Sequence, residues 1–142
     1  MLETISGLNM KKLYLDIDGV LLTNRNPRAA DEAIELIDFI LSRFDCYWLT
    51  THCRENSSTN ALRRLTLYFH ESTIEKLKQI KPTQWNTLKT EAIDFESVFY
   101  WLDDYVLEAE KKELERHKCL QNLLLVDLMN DNELTKIIQK LI

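Results

Sequence analysis

Two carboxylates stand one residue apart at the end of an apolar run, a spacing that could support group-transfer chemistry. Asp16 and Asp18 follow the run 12–15, and Gly19 comes next. Because side chains alternate along a strand, the two acids are predicted to share a face, with Ile17 turned into the core. A carboxylate can attack without first losing a proton, and a second acid can serve the leaving group. The alternative is a strand that leads into an Asp-Gly hairpin turn without chemistry.

Polar side chains also follow two later apolar runs. Thr50 comes directly after residues 46–49, and Asp103 and Asp104 come directly after residues 98–102. Open α/β sheets bind their ligands at the carboxyl ends of the strands, so these positions are expected to meet the first pair of acids. The alternative for the second pair is a helix cap, since acids stabilise helix starts. The presence of the first pair favours a shared site.

The elements that must position these side chains alternate along the chain. Strands are predicted over residues 12–17, 46–50, 98–102 and 123–126. Helical stripes of apolar residues are predicted over 33–44, 61–69, 74–80, 105–117 and 134–141. This alternation predicts one α/β domain over residues 1–142, a Rossmann-like three-layer sandwich with helices on both faces of a parallel sheet. No convincing strand lies between Thr50 and Lys89, so we predict four strands and leave a fifth edge strand open.

The ordered set of features resembles the haloacid dehalogenase superfamily of aspartate-nucleophile phosphohydrolases. The features are Asp16-x-Asp18, Thr50, Lys89 within the segment 85–90, and Asp103-Asp104. The resemblance covers nearly the whole chain, and it implies the fold of that superfamily. Dehalogenase members lack an acid at the position of Asp18, so its presence favours phosphoryl transfer over carbon–halogen chemistry.

The resemblance also implies a role for each matched position. Asp16 would attack phosphorus and form an aspartyl-phosphate, and Asp18 would act first as general acid and then as general base. Thr50 would donate its hydroxyl to a phosphoryl oxygen. Lys89 would neutralise the nucleophile and the phosphate, with Lys81 as the rival lysine.

A magnesium ion is the implied cofactor. The resemblance places Mg²⁺ on Asp16, on the backbone carbonyl of Asp18, and on Asp103 with or without Asp104. Carboxylates that converge in one crevice repel each other, and a hard cation that prefers oxygen ligands offsets this repulsion. The cation would also neutralise charge on the transferring phosphoryl group.

Three further residues are expected to bind substrate, because they adjoin the catalytic positions: Gly19, Thr51 and His52. Thr51 is the competitor of Thr50, and a solvent-facing or capping role is the alternative for His52. Only about a dozen residues, 21–31, separate the first strand from its helix, so we predict a short flap and no cap domain. An open crevice suits a macromolecular phosphate, or a small substrate covered by a second copy of the chain.

The composition narrows the classes of partner. The chain has 142 residues, a net charge of −5, and only two glycines and two prolines. An acidic chain argues against a general nucleic-acid binder, but not against a phosphorylated substrate bound through a metal ion. The start of the chain lacks the pattern of a signal peptide, and no run of about 18 apolar residues occurs. We therefore predict a cytoplasmic protein without a membrane segment.

Several functions share these residues. The leading prediction is a Mg²⁺-dependent phosphatase, and the second is a phosphotransferase or a phosphatase of nucleotide or nucleic-acid ends. The third is a non-catalytic binding or regulatory module, which the full set of acids and Lys89 disfavours. A zinc site would have to use residues whose spacing is unusual for zinc, namely His52, Cys53, His117 and Cys119.

Overall fold

A four-stranded, all-parallel sheet forms the centre of the protein. The structure is a computed structural model that describes residues 10–142. The strands are β1 (Lys12–Leu15), β2 (Asp45–Trp48), β3 (Phe99–Asp103) and β4 (Leu123–Leu125), in the order β2-β1-β3-β4. The predicted α/β class and the parallel sheet of four strands are confirmed. The start of the chain, on which the prediction of no signal peptide depends, lies outside the described residues through residue 9.

Helices cover both faces of this sheet. They are α1 (Ala33–Arg43), α2 (Thr59–Leu65), α3 (Glu71–Leu77), α4 (Glu108–Arg116) and α5 (Glu133–Leu141), with 3₁₀ turns at Lys89–Ala92 and Leu120–Asn122. Alternate residues of β1 enter two separate hydrophobic cores. Leu13 and Leu15 pack with apolar residues of α1 and α5, whereas Tyr14 packs with Leu114 of α4. The sheet is thus the middle of three layers.

The edge of the sheet beside β2 shows what remains of a fifth strand. The backbone N–H of Trp48 donates to the carbonyl of Lys81 at 2.8 Å, and the N–H of Lys81 donates to the carbonyl of Cys46 at 2.9 Å. This parallel pairing is an isolated bridge between Tyr47 and Lys81. The edge strand that the sequence left open is therefore reduced to one paired position.

The first strand is shorter than predicted, and this corrects the strand-alternation argument for the two acids. β1 ends at Leu15, so Asp16 and Asp18 both lie beyond it. The carbonyl of Ile17 accepts the N–H groups of residues 20, 21 and 22, at 3.2, 2.9 and 3.1 Å. The relation between the two carboxylates is therefore set by a tight turn around Ile17, and Ile17 itself is fully buried as predicted.

A short hairpin connects this turn to α1. The N–H of Thr23 donates to the carbonyl of Arg28 at 2.9 Å, and the N–H of Ala30 donates to the carbonyl of Leu21 at 2.8 Å. An isolated antiparallel bridge joins Leu22 and Ala29. The residues of the predicted flap thus pair with one another in a short antiparallel hairpin.

The charged helix predicted over residues 105–117 begins three residues late, at Glu108. Leu107 is extended, with ψ of 153°, and its N–H donates to the Glu110 carboxylate at 2.9 Å. A carboxylate in the first turn of a helix can bind such an otherwise unpaired N–H group. The side chain of Glu110 therefore sets where this helix starts.

Within residues 10–142, none of the helices has the length and the apolar character that crossing a bilayer requires.

Candidate functional site

Three carboxylates meet at the carboxyl ends of β1 and β3. One carboxylate oxygen each from Asp16, Asp103 and Asp104 lies within 4.8 Å of the others, and we call these three residues the acid cluster. They meet because β1 and β3 are parallel neighbours, with Leu15 opposite Leu102. Asp16 is only 7% exposed and Asp103 only 1% exposed. The cluster is therefore largely removed from water.

Lys89 reaches into the acid cluster. Its Nζ lies 2.7 Å from Oδ2 of Asp103 and 3.4 Å from Oδ2 of Asp16. The rival lysine, Lys81, instead pairs with Asp45 at 2.8 Å, at the amino-terminal end of β2. Of the two lysines considered from the sequence, only Lys89 contacts the acids at the strand ends.

Glu110 holds the backbone of Lys89, and the sequence analysis missed it. The Lys89 N–H donates to Oε2 of Glu110 at 2.7 Å, while Oε1 accepts the N–H of Leu107. The Glu110 side chain is buried, although it belongs to a strongly charged helix. In the sequence, Glu110 is recognisable only as a glutamate in the first turn of a helix, and many solvent-exposed glutamates fit the same description. Glu110 thus joins the 3₁₀ turn that carries Lys89 to the start of α4.

Burial and crowding change the proton affinity of this cluster. Burial, together with the charge of Asp16, raises the pKa of Asp103 to about 8, and Lys89 only partly opposes this rise. Burial alone would lower the pKa of Lys89, but Asp16 and Asp103 together raise it. Without a metal ion, the cluster therefore keeps one proton on a carboxyl group near neutral pH.

Asp104 is held at the side of the cluster by two contacts. Nδ2 of Asn24 donates to Oδ2 of Asp104 at 2.8 Å. Gly19 has φ of +83°, and a Cβ atom at this position would overlap the Asp104 carboxylate. A glycine is needed here both for the backbone conformation and for the close approach. The structure thus places Gly19, predicted as a substrate-binding residue, directly against one of the predicted metal ligands.

Asp18 lies apart from the acid cluster and has its own partners. Its Oδ2 lies 2.7 Å from Nε2 of His52, and its Oδ1 accepts from Nη2 of Arg64 at 2.8 Å. We call Asp18, His52 and Arg64 the Asp18 cluster. Burial acts to raise the pKa of Asp18, but the hydrogen bonds from Arg64 and His52 outweigh it and lower the pKa. The sequence analysis missed Arg64, which is one of two adjacent arginines in α2.

The two threonines after β2 differ in their environment. Thr50 is fully buried, and its Oγ1 accepts the N–H of His52 at 3.3 Å. The preceding residue, Leu49, donates its N–H to the carbonyl of Leu15 at 2.8 Å, so Thr50 lies beside the end of β1. Thr51 is exposed. The structure thus favours Thr50 as the residue closer to the buried site.

The chemistry of the acid cluster fits a divalent cation. Three carboxylate oxygens within one small volume are the ligands that hard cations prefer. The alternative zinc site does not form within the described part of the chain, where this aspartate group is the one potential metal cluster. Cys53 and Cys119 instead direct their sulfur atoms to backbone carbonyls of Thr83 and Leu114. The cluster could therefore hold a metal ion.

Comparisons with known proteins add no relative: no family model, no curated protein and no solved structure matches this chain.

Proposed function

We propose that this protein is a Mg²⁺-dependent phosphatase that hydrolyses phosphate monoesters through an aspartyl-phosphate on Asp16. The observation that carries the proposal is the division of the acids into two groups. Asp16 lies with Asp103, Asp104 and Lys89 in a buried cluster, whereas Asp18 is held outside it by other partners. Such a division suits a nucleophile on one side and a proton donor on the other. The proposed fold is that of the haloacid dehalogenase superfamily without a cap domain.

Asp16 is oriented for attack by its own neighbour. The N–H of Ile17 donates to Oδ1 of Asp16 at 2.8 Å, and Oδ2 faces Lys89. In the first step, a bond forms between the Asp16 carboxylate and phosphorus while the bond from phosphorus to the leaving oxygen breaks. Asp18 gives a proton to that oxygen once its contacts with His52 and Arg64, which lower its pKa, have opened. In the second step, water attacks the phosphoryl group, Asp18 takes a proton from the water, and Asp16 is released.

The buried residues around Asp16 are expected to stabilise the negative charge on the phosphoryl group during the reaction. The Lys89 ammonium group is placed to neutralise both the nucleophile and the phosphoryl oxygens. Thr50 accepts from the His52 N–H, an arrangement that leaves its hydroxyl proton available for a phosphoryl oxygen. Asp16, Asp103 and Asp104 would hold Mg²⁺, which supplies positive charge that offsets the carboxylates and the phosphoryl group. The metal ligand expected from the backbone of Asp18 stays a prediction.

The direct test is release of p-nitrophenol from p-nitrophenyl phosphate, measured with Mg²⁺, with EDTA and with Ca²⁺. We expect turnover with Mg²⁺ only, because Ca²⁺ is larger and accepts looser coordination. Asp16→Asn should lower kcat by at least about 10³-fold, since an amide is a poor nucleophile. Circular dichroism checks that this variant is folded. Asp38→Asn, which changes an exposed aspartate paired with Lys76, is the matched control and should keep full activity.

Two outcomes would contradict the proposal. Equal activity in EDTA and in Mg²⁺ would remove the metal from the mechanism. A folded wild-type protein without turnover on p-nitrophenyl phosphate or on a panel of phosphorylated metabolites would favour the non-catalytic module.

A further inference from the structure

We propose that Arg64 and His52 form a subsite for a second anion, so that the preferred substrate carries a second phosphate on its leaving group. This inference rests on the proposed phosphatase function and narrows its substrate class. The two residues bind the acid that is assigned to the leaving oxygen, and they therefore lie on the leaving-group side of the site.

Both carboxylate oxygens of Asp18 contact other side chains in the structure. His52 Nε2 lies 2.7 Å from one oxygen, and Arg64 Nη2 lies 2.8 Å from the other. Turning the carboxyl group toward a substrate atom would open at least one of these contacts. An anion on the leaving group can take the place of Asp18 as a partner of Arg64 and His52. Binding of such a substrate would then free Asp18 at the moment when the reaction needs it.

Arg64 also has a donor that no group in the described residues satisfies. Its Nε is buried and has no hydrogen-bond partner. Buried donors are nearly always paired, and an unpaired one costs stability. The guanidinium group lies near the Tyr68 ring, with Cζ 5.5 Å from the ring centroid, which limits its freedom to turn. The guanidinium group is therefore oriented and incompletely satisfied before an anion binds.

The donor set fits a phosphate as the second anion. A guanidinium group presents a planar fork of donors that matches two oxygens of a phosphate, and the His52 ring adds a further nitrogen. Asp16 and Asp18 are two residues apart, so their α-carbon atoms are at most about 7 Å apart. The second phosphate would take the place of the Asp18 carboxylate, so both phosphates have to lie on one small molecule. Two phosphates on one sugar ring satisfy this requirement, whereas a distant charge does not.

The test compares matched substrates that differ only in the second phosphate. We expect kcat/KM for adenosine 3′,5′-bisphosphate to exceed that for adenosine 3′-phosphate by about tenfold or more, as hydrogen bonds to a charged group would give. Ribose 1,5-bisphosphate and ribose 1-phosphate form the second pair. A preference in both pairs shows that the second phosphate alone is recognised, and a preference in the adenosine pair only shows that a base is also required.

The variants assign this preference to Arg64. Arg64→Ala should remove most of the ratio between the two substrates, and Arg64→Lys should keep only part of it, because lysine retains the charge without the fork. Arg63→Ala is the matched control: Arg63 is adjacent and exposed, it donates to Asn60 at 3.1 Å, and its loss should preserve the ratio. Equal values for both substrates in the wild type, or an unchanged ratio in folded Arg64→Ala or Arg64→Lys, would overturn the proposal.

A binding measurement separates this proposal from the phosphatase function itself. Calorimetry with Asp16→Asn should show tighter binding of the bisphosphate than of the monophosphate, and the additional change Arg64→Ala should remove the difference. If p-nitrophenyl phosphate is hydrolysed but this difference is absent, the subsite is wrong and the phosphatase stands. If the difference is present without turnover on any substrate, the subsite stands and the catalytic function is wrong.

Discussion

The acid cluster and the Asp18 cluster begin two residues apart in the chain, yet they have opposite environments. The acid cluster gathers three carboxylates, of which Asp16 and Asp103 contact Lys89 and are almost completely buried. The Asp18 cluster gathers two nitrogen-bearing side chains around one carboxylate, and its side chains are between 27% and 34% exposed. The first has an excess of negative charge that Lys89 only partly offsets, and the second is well supplied with hydrogen-bond donors.

Because of this difference, one short turn can adjoin a site for a metal ion on one side and a site for a substrate anion on the other. Removal from water strengthens the repulsion among the carboxylates, so the acid cluster favours a cation. Contact with solvent weakens the ion pair of Arg64 with Asp18, so a substrate anion can compete for it. The turn around Ile17 separates the two environments.

The largest expected effect separates Asp18 from the nucleophile. Asp18→Asn should reduce kcat on alkyl phosphates by about 10²–10⁴-fold, because their leaving oxygen needs a proton. The formation of phosphoenzyme from p-nitrophenyl phosphate should fall much less, since its leaving group needs little help. Phosphoenzyme should accumulate at Asp16, because the base that activates water is gone. Rapid-quench trapping with a labelled substrate measures both steps.

Equal slowing of the first step on both substrates, without accumulation, would remove the acid–base role from Asp18. Asp18 would then serve to position the metal ion or to hold the fold, and it would take no part in proton transfer.

The next effect concerns Lys89, which contacts two carboxylates of the acid cluster. Lys89→Met should lower kcat by about 10²–10³-fold, because a preorganised charge beside the phosphoryl group is lost. Lys81→Met is the control, since Lys81 pairs with Asp45 at the other end of the sheet and a half-exposed pair contributes only about 0–1 kcal/mol. Steady-state kinetics with p-nitrophenyl phosphate measures both. A similar loss of kcat in both variants would mean that Lys89 affects activity only by stabilising the folded protein.

A smaller but direct effect is proton release on metal binding. The pKa of Asp103 is about 8, so the metal-free acid cluster carries a proton at pH 7. A metal ion that binds the Asp103 carboxylate must displace this proton. About one proton should therefore be released per Mg²⁺ at pH 7, and almost none above pH 9. Calorimetry in two buffers of different ionisation enthalpy counts these protons. Asp103→Asn should release none, and a wild-type count that does not change with pH would contradict this assignment.

The smallest expected effect tests the residue behind Lys89. Glu110→Gln retains an oxygen for one of the two backbone N–H groups but loses the charge, so kcat should fall by roughly tenfold or less. KM for p-nitrophenyl phosphate should change little, because the change misplaces Lys89 and leaves the other phosphate contacts intact. A thermal melt gives the effect on stability. A lower melting temperature with unchanged kcat would show that Glu110 only supports the fold.

The sequence by itself determined the fold class and the residues that meet at the strand ends. Short apolar runs and the period-3.6 pattern depend on neighbouring residues, and they located four strands and the helices between them to within a few positions. Parallel strands end at one edge, so Asp16 and Asp103 could be predicted to meet before any contact was known.

Only the tertiary structure decided how these residues are surrounded. Arg64 contacts Asp18 across 46 positions of the chain, and Glu110 contacts the backbone of Lys89 across 21 positions. Neither residue differs in type or spacing from its solvated neighbours, since a charged residue on a helix fits many environments equally well. The turn around Ile17 also depends on packing, because local alternation would have continued the strand. Contacts of this kind follow from how crossover helices pack on the sheet, which periodicity along the chain does not encode.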